Sequence, residues 1–276
     1  MAAPSSGRHL SARNRARSER QQTIADYVLA KGVATPNELT EVAGASLMTV
    51  HRDLDELARK GLLRKFHGGV SAQPSSVFES SSAYRLNVQS EHKEALAAEA
   101  LRRIDTGMSV MLDTSSTNVF LARLIARREP VQLTVITNYL PILQTLRSCE
   151  GVDLIVIGGS YNPNHDAFFG MDAVAMTESL RVNLAVLSTS AMTPEETYHQ
   201  DQDIVTMKRA MMAAAERRIL LMDPTKIERT ALHRLAPSSA FDELVLTDPG
   251  PTDFTTDVAE QVPTTVIPLD AGRSVS

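Results

Sequence analysis

Apolar positions follow one rhythm in the first seventy residues and another beyond them. Between about residues 20 and 31, Ile24, Tyr27 and Val28 fall at helical spacing on one face, and Gly32 stands where a helix stops. Thr35-Pro36-Asn37-Glu38 puts a hydroxyl, a proline and an acid at the N-cap, first and third helical positions. This capping box predicts a second helix ending near Ala43. Gly44 predicts a sharp turn, and Ser46 the cap of a third helix reaching about Lys60. In that helix Leu47, Val50, Leu54 and Leu57 predict one inward face, which turns Met48, Thr49, Arg52, Asp55 and Arg59 elsewhere and leaves His51 at the edge. Gly61 stops the helix, and the run 62–70, with Gly68-Gly69 near its end, reads as a small β-ribbon.

A Ser-rich, Pro-containing stretch from Ser71 to Ser82 reads as a linker. After it a helix is expected over 91–104, and then short runs apolar on both faces alternate with helical ones. The expected strands are 109–112, 133–137, 153–157, 183–187, 218–222 and 243–246, and the expected helices 118–126, 141–147, 171–180 and 205–216. This pattern predicts a Rossmann-like α/β body with a mostly parallel sheet. The organisation expected is a basic arm over 1–19 without fixed structure, a helical head over 20–70, a linker over 71–90, and a binding and oligomerisation domain over 91–276.

Charge sharpens the division. Residues 1–70 hold 11 Lys and Arg against 7 Asp and Glu, a balance of +4, whereas the remainder holds 17 against 26, or −9. A basic head on an acidic body points to a polyanion as the head's partner. The Arg-rich start has no apolar segment behind it and no run reaches the ~20 residues of a spanning helix, so the expectation is a cytoplasmic chain with neither signal peptide nor membrane segment. Cys149 is the only cysteine, which excludes an intrachain disulfide or a cysteine zinc cluster. It is expected to be a small buried hydrophobe. No metal and no cofactor are expected.

A helix that enters the major groove needs hydrogen-bonding side chains near its N-terminus and cations flanking it for phosphates. Thr49, His51 and Arg52 fit the first need. Lys60, Arg64, Lys65 and His67 fit the second, with the ribbon as a wing, and Thr35, Ser46, Met48 and Arg59 complete the expected DNA-binding set. The partner expected is double-stranded operator DNA. One such head reads few bases, so a closed homo-oligomer is expected.

The run from Ser46 to Val70 resembles the winged helix-turn-helix signature of the DeoR family of bacterial transcriptional regulators. Thr49, Arg52-Asp53-Leu54, Leu57, Gly61, Arg64 and His67-Gly68-Gly69 stand at the family's spacing. His51 departs from it, since the family commonly has arginine there.

In the body, turns at the carboxyl ends of parallel strands are where an open α/β sheet holds a ligand. Leu112-Asp113-Thr114-Ser115-Ser116-Thr117-Asn118 ends a strand and opens a helix, a place for phosphate. Thr137-Asn138, Gly158-Gly159 and the loop of Lys226 follow in order, and the order is similar to that of the DeoR sensor domain; Gly170 stands near a family position, and Ser190 is a further expected effector contact. The resemblance implies a fold like that of ribose-5-phosphate isomerase and a small phosphorylated sugar or related metabolite as effector. Within it Asp113 is expected to accept from sugar hydroxyls, while Ser115, Ser116, Thr117 and Lys226 hold the phosphate. Ser115-Ser116 and the segment 188–192 depart from the family, which often has glycine at both. Asp203 and Lys208 also sit near family positions, but Lys208 is read as a surface charge in a helical run. The function expected is a repressor of carbohydrate genes. The alternative is an isomerase-like enzyme using Asp113, Glu178, His199 and Asp201 as acids and bases.

Overall fold

The computed structural model describes residues 33–59, 63–66, 68–72, 89–128, 132–248 and 253–269, together with residues 17, 20, 21, 23–25, 27, 28, 31, 85 and 86. Lys60, His67, most of the arm and most of the linker lie outside the described residues. The chain forms two compact units, residues 1–88 and 89–276.

In the first unit the described residues between 20 and 31 are helical. There follow β1 (Val33–Ala34), α1 (Pro36–Ala43), α2 (Leu47–Arg59), β2 (Leu63–Phe66) and β3 (Gly69–Ala72). The capping box forms: Glu38 N–H donates to Thr35 Oγ1 at 3.3 Å and Thr35 N–H to Glu38 Oε2 at 3.4 Å. Gly44 ends α1 in the left-handed region at φ 56, with open space where a Cβ would stand. Gly44→Ala therefore adds only the backbone penalty, and chemical denaturation is expected to show a loss of about 1 kcal/mol. The wing is a three-stranded antiparallel sheet in the order β1-β3-β2. Two-residue β1 has no periodicity to betray it, and β3 carries Ser71 and Ala72 into what the sequence reads as linker.

Ile24, Val28, Leu39, Val50, Leu54, Leu57, Leu63 and Val70 form the core of this unit. Leu47 corrects the expected inward face. It is 44% exposed, because it opens α2 beyond the edge of the core, and the stripe is completed by Asp53, 1% exposed.

The second unit runs α3 (Ser90–Leu101), β4 (Ser109–Leu112), α4 (Ser116–Arg127), β5 (Leu133–Thr137), α5 (Leu140–Leu146) and β6 (Val152–Val156). It continues through β7 (Ser160–Asn162), β8 (Ala167–Phe169), α6 (Met171–Glu178), β9 (Val182–Leu187), β10 (Ala191–Met192), β11 (Glu196–His199) and α7 (Gln202–Ala214). It ends with β12 (Ala215–Met222), β13 (His233–Pro237), β14 (Glu243–Thr247), α8 (Asp253–Ala259) and β15 (Thr264–Ile267). Seven strands form one parallel sheet in the order β15-β14-β12-β9-β4-β5-β6. Edge strand β15 was not expected, since its half-exposed TTVI lacks the apolar run of its neighbours. The antiparallel pair β7-β8 and the small sheet β10-β11-β13 are additions to this frame. Cys149 is half-buried rather than enclosed.

From β4 the chain steps outward through β5 to β6, and from β9 it steps the other way through β12 and β14 to β15. The strand order thus reverses between β4 and β9, and the crevice outside their carboxyl ends is the natural ligand position of an open parallel sheet. No helix among the described residues is long and apolar enough to cross a membrane.

Candidate operator-reading and effector sites

In the head, a polar clamp decides which side of α2 is free. Buried Asp53 accepts from Arg20 Nε at 2.6 Å and from Gln21 Nε2 at 3.0 Å, and Glu56 accepts from the same Gln21 amide at 3.0 Å. Arg17, which the sequence places in the arm, is helical and its guanidinium pairs with Glu56. These contacts tie the first helix to the inner side of α2.

The outer side carries Met48, 75% exposed, with His51, Arg52, Asp55 and Arg59. Ser46 caps this helix, its Oγ accepting from Thr49 N–H at 3.4 Å and lying 2.9 Å from Thr49 Oγ1. On β2, Arg64, Lys65 and Phe66 are exposed. Lys65 bonds to Asp55, and that bond holds the Asp55 carboxyl below its ordinary range. Thr35 is exposed at the start of α1. The head therefore offers a cation-bearing helix face and a cation-bearing strand.

In the second unit, strand ends bring the expected residues to one edge. Asp113 follows β4 and is 1% exposed. Its Oδ1 accepts from Ser115 N–H at 2.9 Å and Asn118 Nδ2 at 2.8 Å, and its Oδ2 from Ser188 N–H at 3.0 Å and from the Lys208 ammonium. A carboxylate has about four lone-pair sites, so four donors saturate it. Asp113 thus ties the hydroxyl loop to the β9 end and has no capacity left for a sugar hydroxyl.

Lys208 is 3% exposed, which corrects the expectation of a surface charge. It stands on the stripe Ile204, Lys208, Met211 that α7 turns inward, and a lysine there is tolerable only because Asp113 pairs with it. Ser115 Oγ caps α4 by accepting from Asn118 N–H at 3.3 Å, and Ser116 and Thr117 are buried in its first turn.

Lys226 reaches the same place from the loop after β12. Its Nζ lies 3.5 Å from Ser188 Oγ and 3.6 Å from Asp223 Oδ2, both long contacts, and its side chain is 20% exposed. Burial pushes the Asp223 carboxyl up, but Lys226, the Thr225 hydrogen bonds and Lys93 outweigh burial and hold it below the usual range. A depressed carboxyl contributes stability that is present above its unfolded pKa and lost as pH falls through the folded value. Thermal melts from about pH 5 down to about pH 2 are therefore expected to fall more steeply for the parent than for Asp223→Asn.

Asn138 and Gly170 sit with the β7-β8 hairpin. Asn138 Nδ2 donates to Phe168 O at 2.8 Å, and Gly170, at φ 114, opens α6 directly after β8. Gly158 and Gly159 follow β6, and at φ 141 a Cβ on Gly159 would stand 2.4 Å from Phe169 O, so only glycine fits. Ser190 is buried and its N–H donates to Tyr198 O at 3.2 Å.

Two buried acceptors, Asn118 Oδ1 and Asn138 Oδ1, have no donor among the described residues. The amide orientation is set in each case, since Asn118 Nδ2 also donates to Val186 O at 2.7 Å. Of the alternative acid–base set, Asp201 caps α7 and contacts His165 Nε2 at 3.0 Å, its N–H donates to His199 Nδ1 at 3.1 Å, and Glu178 is exposed at the end of α6. The sequence reading missed Lys93 as a residue of this edge, whereas Asn118 and Ser188 fall in segments that it singled out without giving either a role of its own.

Comparison with known proteins decides the relationship. Residues 20–76 match the DeoR-like helix-turn-helix domain and residues 88–248 match the DeoR C terminal sensor domain. The chain belongs to the DeoR family. It is similar to the L-fucose operon activator of Haemophilus influenzae, 31% identical over 226 residues, covering 82% of this chain and 90% of that one. It is also similar to the glycerol-3-phosphate regulon repressor of the same organism, 30% identical over 89% of this chain and 91% of the relative. A third relative is the lactose phosphotransferase system repressor of Lactococcus lactis, 30% identical over 77% and 84%. Among solved structures, ribose 5-phosphate isomerase A from Methanocaldococcus jannaschii aligns at a TM-score of 0.37 and 16% identity, over 50% of this chain and 54% of that one. As a DeoR-family member this protein is a DNA-binding transcriptional regulator with a sensor domain.

Proposed function

We propose that this DeoR-family regulator is a repressor of carbohydrate genes that works as a homo-oligomer and answers to a small phosphorylated sugar. The observation that carries the effector reading is the loosely held Lys226 ammonium beside Ser188, whose N–H is in turn bound by Asp113 of the hydroxyl loop, outside the carboxyl ends of β4, β9 and β12. A partly exposed cation at the same sheet edge as a Ser/Thr-opened helix suits a phosphate monoester. The donorless Asn118 and Asn138 oxygens suit ligand hydroxyls, which take over the role the sequence gave to Asp113. Two of the relatives named above are repressors and one is an activator; we take repression as the reading.

In the head, Met48, Thr49, His51 and Arg52 meet base edges, Met48 through apolar contact of the kind a thymine methyl offers. Thr35, Ser46, Arg59, Lys60, Arg64, Lys65 and His67 meet phosphates. An isomerase reading is disfavoured because the saturated Asp113 carboxylate is no free base and Glu178 is exposed.

Thermal denaturation against a panel of sugars and their phosphates tests the effector reading. The midpoint is expected to rise with one or more phosphates and with none of the parent sugars, and Lys226→Ala is expected to abolish the rise. A sugar that acts without its phosphate, or a rise retained by Lys226→Ala, overturns it.

A further inference from the structure

The entry to the sensor unit carries features that ligand binding and operator reading leave unused. Gln89, the first residue of this unit, holds φ 55 and ψ 41, a left-handed conformation that any side chain with a Cβ resists. It opens α3 without a side-chain cap, and its carbonyl accepts from Lys93 N–H at 3.1 Å.

The first turn of α3 then touches a strand end of the effector edge. His92 Nδ1 lies 2.8 Å from Thr247 Oγ1, the last residue of β14. Lys93 is 4% exposed, and α3 packs against both β12 and β14. The positive charge of Lys93 is one of the influences that hold the Asp223 carboxyl low, and the same carboxylate faces Lys226. The other end of α3 is fixed, with Arg103 Nε donating to Glu243 Oε2 at 3.1 Å at the opposite end of β14. A helix pinned at its far end, with its first turn held by the effector edge and its first residue in a resisted conformation, is built to pass a change at that edge back along the chain.

We propose that the first turn of α3 relays effector occupancy toward the DNA-binding unit, with Asp223 shared between Lys226 on the effector side and Lys93 on the relay side. The relay rests on the reading of Lys226 as a phosphate ligand. A phosphate drawn to Lys226 takes up the cation that Asp223 faces and adds negative charge beside it. Asp223 is left to Lys93, and the turn that follows Gln89 tightens.

Amide hydrogen exchange on the full chain tests this, with inorganic phosphate as the probe and chloride at matched ionic strength as the control. Phosphate is expected to slow exchange both in the loop 223–226 and at the amides of Lys93 and Glu94, the latter by about fivefold. In Lys93→Met the slowing is expected to persist in the loop and to vanish in α3; Lys93→Gln, of similar length and without charge, serves if the methionine variant does not fold. Slowing confined to the loop in the parent chain overturns the relay and leaves the phosphate reading intact. Slowing in α3 that survives Lys93→Met, or Lys93→Gln in its place, overturns the relay as well. Absence of slowing in the loop overturns both.

Discussion

Lys208→Met is expected to destabilise the sensor unit by about 3–5 kcal/mol, because it leaves the Asp113 carboxylate buried without its cation. The remaining donors, from Ser115, Asn118 and Ser188, are neutral and do not cancel the charge. Asp113→Asn combined with Lys208→Met removes both charges and is expected to recover most of the loss. Chemical denaturation of the parent, the two single variants and the double variant closes a cycle whose coupling measures the pair. A loss below about 1 kcal/mol for Lys208→Met would mean that the two groups are not the strongly coupled buried pair described above.

Arg52→Ala is expected to weaken operator binding by about 1–3 kcal/mol and to relax preference at one base pair, since an exposed arginine on the outer face of α2 is placed to read a base edge. Lys65→Ala is expected to weaken binding to all sequences alike and to lower the salt slope by about one ion, as loss of a phosphate contact does. Lys65 shares its ammonium with Asp55 in the free protein, so Asp55→Asn is expected to strengthen binding without changing sequence preference. Binding isotherms on an operator and its single-base variants at two salt concentrations separate these outcomes. Equal losses for Arg52→Ala on every sequence remove it from base reading.

The elements whose periodicity spans several turns or a fully apolar strand were legible in the sequence: the capping box, α2, and six of the seven parallel strands. The buried charges that the sequence reading passed over or misplaced share one cause. Asp53, Lys93 and Lys208 each stand on the inward stripe of a helix, beside Val50 and Leu57, Leu96 and Ala100, and Ile204 and Met211 respectively. General preference sends a charged side chain to the surface, and for Lys208 that preference was followed. A charge interrupting an otherwise apolar stripe carries the opposite message: it is buried because a partner far along the chain neutralises it, as Asp113 does for Lys208 across 95 positions. The stripe was visible in the sequence. The partner was not, because it is chosen by the order of strands in the sheet. The same limit explains Asp113, whose saturation by Ser188 and Lys208 depends on β9 and α7 arriving beside β4.

The most direct measurement is fluorescence anisotropy of labelled operator fragments with the full chain, with and without the sugar phosphate that raises its melting midpoint. The account predicts that the chain binds its operator at least about a thousandfold more tightly than a scrambled duplex at physiological salt. It also predicts that this sugar phosphate shifts the binding midpoint for the parent and leaves Lys226→Ala, which still binds operator, unresponsive. Equal affinity for operator and scrambled DNA, or a parent whose operator binding ignores a phosphate that it demonstrably binds, would contradict it.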